Sequence, residues 1–220
     1  PALRASFGMA GDVALSRYAP STDGIRFELS GIGSCISSQL GQHSALNAAA
    51  VAAVLRHLGE PAAGIAGALT AFRGIAQRFQ RMDVAGQSPI PVYNDYAHNP
   101  EKIRAALLTA QEAADGPVLA IFQPHGYGPL RFMRDELHKV LADTLRPGDQ
   151  FVLLPVYYVG GSTSFWPTAV EVAGEYAIHG LPVHGLHTRD ALLVQAKELA
   201  APARLVVVMG ARDPSLPEWT

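Results

Sequence analysis

The 220-residue chain has a single cysteine, no long apolar run and no block of like charge, and each shortage removes a class of protein. One thiol, Cys35, excludes an intrachain disulfide and any cysteine-rich zinc site. It agrees with a reducing, cytoplasmic setting and reads as a buried packing residue. No stretch reaches the roughly 20 apolar residues that span a bilayer, and no basic segment leads into a short apolar core as in a secretory leader. The 17 basic and 19 acidic residues leave a formal net charge of -2, and they are dispersed, so neither a nucleic acid nor a membrane surface is an expected partner. Several motifs are missing as well. There is no G-x-x-x-x-G-K-[ST] phosphate loop, no H-E-x-x-H, no G-x-S-x-G, and no G-x-G-x-x-G after a strand. Five histidines, His57, His138, His179, His184 and His187, lack ligand spacing, and no metal site is assigned.

What the chain does have is apolar content, 49%, ample for a buried core. The first forty residues alternate in short bursts (Val13–Leu15, Ile25–Leu29, Cys35–Leu40) between Ser, Thr, Asp and Gly, which predicts antiparallel strands and turns. From Ser44 the pattern turns helical, with Asn47, Ala50, Val51, Val54, Leu55 and Leu58 sharing a face, and a second helix runs from Pro61 to Phe72. A connector over Gly74–Arg81 follows. Met82–Val84 and Pro91–Tyr93 are expected to pair across Ala85-Gly86-Gln87, and a domain boundary is expected near Gln77. Beyond it, helices over Pro100–Ala114, Arg131–Leu145, Thr168–His179 and Thr188–Ala200 alternate with strands over Val118–Phe122, Phe151–Pro155, Pro182–His184 and Leu205–Met209. That alternation predicts an α/β unit, a mostly parallel sheet with helices on both faces. Ligands bind such sheets at the carboxyl ends of the strands. Four unusual segments fall there: Asn94–Asn99, Gln123–Pro129, Tyr157–Trp166 and Gly210–Pro214.

The most informative of these is Asn94-Asp95-Tyr96-Ala97-His98-Asn99-Pro100. It sets an acid and an imidazole between a strand and a helix whose start is written by Asn99 as N-cap and Pro100 at the first helical position. The same residues also suit ordinary turn and capping chemistry. Gly41-Gln42-His43-Ser44-Ala45-Leu46-Asn47 places an imidazole and a carboxamide at a positive helix end, where phosphate or a purine edge would be held; a capping Ser44 and a core-facing Asn47 would account for it equally. Arg78 lies at the expected boundary, where a guanidinium would fork onto phosphate oxygens or simply sit at the surface. Gln123-Pro124-His125-Gly126-Tyr127-Gly128-Pro129 is a stiff polar loop after an apolar strand, and Arg212-Asp213 sets acid beside base after the last one.

Taken in order, G-Q-H-S-A-L-N-A-A, A-F-R-G-I-A-Q-R-F, N-D-Y-A-H-N-P and F-Q-P-H-G-Y resemble the Mur ligase family across nearly the whole chain. The resemblance implies a Rossmann-like C-terminal domain over residues 78–220, preceded over 1–77 by the last part of a central ATPase domain. It also implies that the chain, which opens at Pro1, is cut from a longer polypeptide carrying the phosphate loop and most Mg²⁺ ligands upstream, and that this piece alone is inactive. The implied activity is ATP-dependent amide formation. A carboxylate of a UDP-N-acetylmuramic acid-type substrate is phosphorylated, and the amine of an amino acid or peptide then attacks the acyl phosphate, in synthesis or recycling of peptidoglycan. By the same resemblance Asn47 contacts adenine, His43 lies against the nucleotide, Arg78 reaches the ATP phosphates and Asp95 accepts ribose hydroxyls. His98 stands near the acyl phosphate and the amine, and His125 belongs to the loop that orients that amine.

The chain departs from the family pattern at several positions. Ser44 replaces an asparagine and Asn99 a second histidine; Gly126 and Pro129 stand where arginines would grip the acceptor's carboxylate, with Arg131 nearby. Gly210-Ala211-Arg212-Asp213-Pro214 is more similar to the ending of folylpolyglutamate synthetases. These changes leave the acceptor open, and with it the alternative of a divergent, non-catalytic nucleotide- or ligand-binding domain that keeps the fold.

Overall fold

The structure is a computed structural model that describes residues 4–82, 90–158, 160–161, 164–200 and 202–220. It divides into two compact units, Pro1–Ile75 and Ala76–Thr220.

The first unit is a four-stranded sheet in the order β1 (Phe7–Gly8), β2 (Val13–Ser21), β3 (Gly24–Leu29), β4 (Gly33–Ser37), with α1 (Gln42–His57) and α2 (Ala62–Ala71). The β2–β3–β4 ladder is antiparallel as expected, while the two-residue β1 runs parallel to β2. Inward-facing Val13, Leu15, Ile25, Phe27, Leu29 and Cys35 form the core, closed by Ala45, Ala48, Ala49, Ala52 and Ala53 of α1 and Ile65 of α2. The expectation for α1 is corrected in two respects. Its buried stripe is made of alanines, which let the helix lie close on the sheet, and Val51, Val54 and Leu58 are exposed. It begins at Gln42, after Gly41 (φ 87°), and Ser44 is not its cap: the hydroxyl donates back to the Leu40 carbonyl at 2.7 Å.

The second unit is a six-stranded sheet in the order β5 (Gln80–Met82), β6 (Val92–Asp95), β10 (Leu205–Gly210), β7 (Val118–Gln123), β8 (Gln150–Leu153), β9 (Val183–Gly185). All pairings are parallel except the edge pair β5–β6. That edge pair uses Met82 against Val92; the rest of the expected hairpin, residues 83–89, lies outside the described residues. Every residue of β7 is buried, as required of a strand covered on both faces. Helices α3 (Pro100–Ala113), α4 (Tyr127–Thr144) and α5 (Ala169–Ile178) precede α6 (Asp190–Ala200) and the short α7 (Leu216–Trp219). Ile121, Val152 and Val208 of the sheet pack with Leu192 and Leu216 from the α6–α7 side. α3 packs on α4, and α5 lies against β8 and β9. The α/β arrangement with helices on both faces is thus as the alternation of patterns predicts.

Two starts are instructive. At α3 the Asn99 side chain accepts from the Lys102 amide at 2.9 Å, with Pro100 in the first turn. At α4 the helix begins at Tyr127, a full turn before the expected Arg131, because a proline is tolerated in a first turn where its missing N–H has no intrahelical partner.

The amino ends of the strands are tied by Asp149, 1% exposed. One carboxylate oxygen accepts the Val118 amide at 2.8 Å; the other accepts the Gln111 side-chain amide at 2.8 Å and the Arg146 amide at 2.9 Å. The Arg146 guanidinium adds a contact at 3.3 Å and reaches on to the Gly116 carbonyl. Burial pushes this carboxyl upward, but the hydrogen bonds from Arg146, Val118 and Gln111 outweigh it and hold it below the ordinary Asp range. Its stabilisation is therefore present above the unfolded value of about 4 and is lost as pH falls through the depressed folded value. Asp149→Ala strands the Val118 and Gln111 donors and is expected to cost about 3 kcal/mol, with Arg146→Ala costing less because that side chain is half exposed. Both tryptophans, Trp166 and Trp219, lie in the second unit, so a urea titration followed by tryptophan fluorescence reads that unit alone; a loss below about 1 kcal/mol for Asp149→Ala would contradict the assignment.

Candidate functional site

The carboxyl ends of β6, β10 and β7 lie side by side, and the sequence-predicted residues of this unit gather there. Asp95 closes β6 with both oxygens engaged. Oδ2 accepts the Phe79 amide at 2.8 Å, and Oδ1 accepts the Ala97 amide at 2.7 Å. The Tyr96 amide donates to the Gln77 carbonyl at 2.8 Å. These bonds staple the turn Gln77-Arg78-Phe79 to the strand exit. Gln77 (φ 58°) and Phe79 (φ 45°) occupy the left-handed region, which costs a side-chain-bearing residue on the order of 1 kcal/mol each. Phe79 recovers part of that by burial on Tyr93, ring centroids 4.8 Å apart. Arg78, between them, is held out into solvent with its guanidinium 5.7 Å above the Tyr96 ring.

Tyr96 continues into a row of rings. Its centroid is 5.4 Å from that of His98, which is 5.4 Å from that of His125. His98 Nδ1 lies 2.9 Å from the Tyr96 carbonyl. A carbonyl only accepts, so this contact assigns the proton to Nδ1, and in the neutral ring Nε2 is left as a lone pair. His125 follows β7 and precedes Gly126, the α4 N-cap, whose φ of 135° favours glycine. The His125 Nδ1 is buried without a hydrogen-bond partner among the described residues. Desolvation above all, then the charges of His98 and Arg212, push its imidazole below the ordinary histidine value, so it is neutral at physiological pH. Beyond it Tyr127, Tyr158 and Phe165 form an aromatic wall with centroid separations of 5.1 to 6.1 Å.

Arg189, just before α6, is a site residue that the sequence reading missed. One guanidinium nitrogen bonds Gln123 Oε1 at 2.7 Å and pairs with the Asp213 carboxylate, and the other bonds Ser215 Oγ at 2.9 Å. It ties the ends of β7 and β10 together. Arg212 and Asp213, neighbours in the chain, point apart: Asp213 turns inward to Arg189 and Arg212 (φ 69°) turns out to solvent. Spacing could not reveal a partner 24 residues away.

His43 and Asn47 belong to the other compact unit. They stand one turn apart on the exposed face at the start of α1, so Asn47 is not the core-facing residue that was one of its two readings. The structure therefore brings together Arg78, Asp95, His98 and His125 in one unit, and His43 with Asn47 in the other.

These features define a doubly covered, mostly parallel α/β domain with a cationic and imidazole-bearing rim at its strand ends, in a chain whose helices are nowhere long and apolar enough, among the described residues, to cross a membrane. Residues 77–212 match the family described as Mur ligase, glutamate ligase domain, and the chain belongs to that family. It is 33% identical over 177 residues to a UDP-N-acetylmuramate–L-alanine ligase of Maricaulis maris, covering 80% of this chain and 36% of the relative. With the enzyme of that name from Acidothermus cellulolyticus it shares 35% over 202 residues, 91% of this chain and 40% of the relative. The chain thus spans less than half the length of the curated relatives it matches. Among solved structures, a UDP-N-acetylmuramate–alanine ligase from Thermotoga maritima superposes with a TM-score of 0.71 at 24% identity, over 98% of this chain and 46% of that one. A Mycobacterium tuberculosis folylpolyglutamate synthase complexed with ADP gives 0.62 at 20% identity, over 91% and 45%. At these identities the likeness is one of fold.

The geometry predicts a directly measurable property. In an NMR titration of the imidazole signals, assigned by comparison with His125→Gln, His125 is expected to titrate below the ordinary value of about 6.5; a midpoint at or above it would contradict the buried, cation-flanked setting.

Proposed function

We propose that this chain is part of an ATP-dependent carbon–nitrogen ligase of the Mur type, acting in the cytoplasm on peptidoglycan precursors. In this reading a UDP-N-acetylmuramic acid-type carboxylate, activated as an acyl phosphate, is joined to the amine of an amino acid or peptide. The observation that carries the reading is the row Arg78, Tyr96, His98, His125 at adjacent strand ends, inside the segment that matches the family.

Each side chain suits its role. Arg78, exposed and without an ion pair among the described residues, is free to fork onto phosphate oxygens. Asp95 accepts the Phe79 and Ala97 amides, one on each oxygen, and a carboxylate is the kind of acceptor that ribose hydroxyls require. Asn47 offers a carboxamide to the adenine edge, with His43 one turn before it. Support for nucleotide use comes from the ADP complex of the folylpolyglutamate synthase. Among the described residues no three His, Cys, Asp or Glu side chains gather to hold a metal ion, and no Mg²⁺ ligand is assigned to this chain.

An incoming amine arrives largely as an ammonium and must lose a proton before its lone pair can attack. His98, with Nε2 unprotonated when neutral, and His125, kept neutral by its surroundings, are the groups placed to accept it. A depressed His125 keeps this capacity at pH values where an ordinary imidazole is already charged. The phosphates and the amine are thereby held by different side chains of one rim, which is the positioning that such a reaction requires.

The test uses the complete ligase that carries this chain, with UDP-N-acetylmuramate, ATP and a panel of amino acids, following phosphate release. His98→Gln is expected to lower kcat by about 100-fold or more with an unchanged urea midpoint, and Arg78→Ala to raise KM for ATP by about tenfold. The chain alone is expected to turn over no ATP. Phosphate release by the isolated chain, or failure of the complete protein to ligate any amine, would overturn the reading, the second outcome favouring a non-catalytic binding domain.

A further inference from the structure

We infer that the seam between α4 and α5 carries a site for a borderline divalent transition-metal ion, Zn²⁺ being the type case, held by the imidazoles of His138 and His179. The inference goes beyond the ligase reading and does not rest on it. His138 lies along α4, and His179 caps the carboxyl end of α5, where the chain turns back toward the start of β9 and away from the rim.

The two ring centroids are 5.1 Å apart at an interplanar angle of 75°. Zn²⁺ sits about 2.0 to 2.1 Å from an imidazole nitrogen and so about 3.2 Å from the ring centre, which puts two rings on one tetrahedral ion with their centres about 5.2 Å apart. The observed spacing matches. An edge-to-face contact of rings reaches the same distance, so the nitrogens must decide. His138 Nε2 is buried and has no hydrogen-bond partner among the described residues, a condition that a lone pair donated to an ion would relieve. His179 is exposed, and among the described residues its ring makes no hydrogen bond or ion pair that would occupy its nitrogens. Sequence spacing could not reveal the pair, because its members stand on different helices.

The surroundings favour a cation. Arg134, one turn before His138, is matched by Asp135 at 3.4 Å and by Glu175 at 3.8 Å, and Glu175 stands one turn before His179. Two carboxylates thus meet one guanidinium. The Tyr176 hydroxyl donates to the Arg134 carbonyl, and its ring lies 5.1 Å from that of His138. Burial, then the charges of Glu175 and Asp135, push this phenol above its ordinary value against the smaller pull of Arg134, the sign of a net negative potential at the seam. The carboxyl end of α5 adds the partial negative charge of its last carbonyls. His125, the other imidazole with a buried unpartnered nitrogen, lies instead under the positive charge of Arg212.

The donor set selects the ion. Imidazole suits Zn²⁺ and Cu²⁺, whereas Mg²⁺ and Ca²⁺ take oxygen ligands. No third His, Cys, Asp or Glu joins the pair among the described residues, so water completes the shell and the ion is exchangeable. Once bound, it joins α4 to α5 and favours the folded second unit.

Calorimetric titration of the chain with Zn²⁺ tests this, with Mg²⁺ as the control. One Zn²⁺ per chain is expected, with an affinity reduced about tenfold or more in both His138→Gln and His179→Gln, and no binding of Mg²⁺. His179→Gln changes an exposed side chain, so its urea midpoint without metal should equal that of the unaltered chain. Zn²⁺ should raise the midpoint of the unaltered chain, followed by tryptophan fluorescence, and leave that of His179→Gln where it was. Substoichiometric Cu²⁺ should broaden the imidazole NMR signals of His138 and His179 before those of His98 and His125. Three results would overturn the proposal: no Zn²⁺ binding, which would make the pair a ring contact only; an affinity untouched by either substitution; or Cu²⁺ broadening confined to His98 and His125.

Discussion

The parallel insertion of β10 between β6 and β7 is the constraint on which the second unit depends. Twin ladders, Val206–Met209 against Val92–Asp95 and Leu205–Gly210 against Val118–Gln123, bring three strand ends level although they are far apart in the chain. β10 separates β6 from β7, yet the loops that follow those two strands converge across its end and bring the His98 and His125 ring centroids to 5.4 Å. Parallel pairing also fixes direction, so all three loops open on one side of the sheet.

Around that frame the rim is assembled by carboxylates used as backbone receptors. Asp95 holds the turn that displays Arg78, and Asp213 holds Arg189 and the start of α7. Each acid thus consumes donors that would otherwise be idle, and the cations left over face solvent. Asp213, buried, and Asp95, half-buried, both brace the loops, while the guanidinium groups of Arg78 and Arg212 face solvent. Such separation is economical in a unit whose charged residues are few.

Much of this was legible in the chain before any coordinates. The cap at Asn99-Pro100, the apolar run at Val118–Phe122 and the regular exchange of helix and strand patterns gave the α/β layering directly, since each is a local signal. Local signals also placed Asp95, His98 and His125 in segments at the carboxyl ends of strands, with Arg78 in the connector that precedes them. The parts that escaped are non-local. Arg189 meets Asp213 and Gln123 only through the fold, and nothing in the immediate sequence of Arg212-Asp213 reveals that the neighbours point opposite ways. At α1 the valines misled because hydrophobicity was taken as the sign of the core, whereas the close approach of helix to sheet there demands alanine. The early start of α4 escaped for another reason: Gly126 and Pro129 read as loop residues, yet both suit a first turn.

The knot around Asp149 lies at the opposite end of the strands from the rim. That end of the sheet is therefore held by groups other than those at the rim. Substitution of exposed side chains at the rim leaves that anchor at the far end of the strands untouched. A domain built this way can change the character of its rim at little risk to its own foldedness.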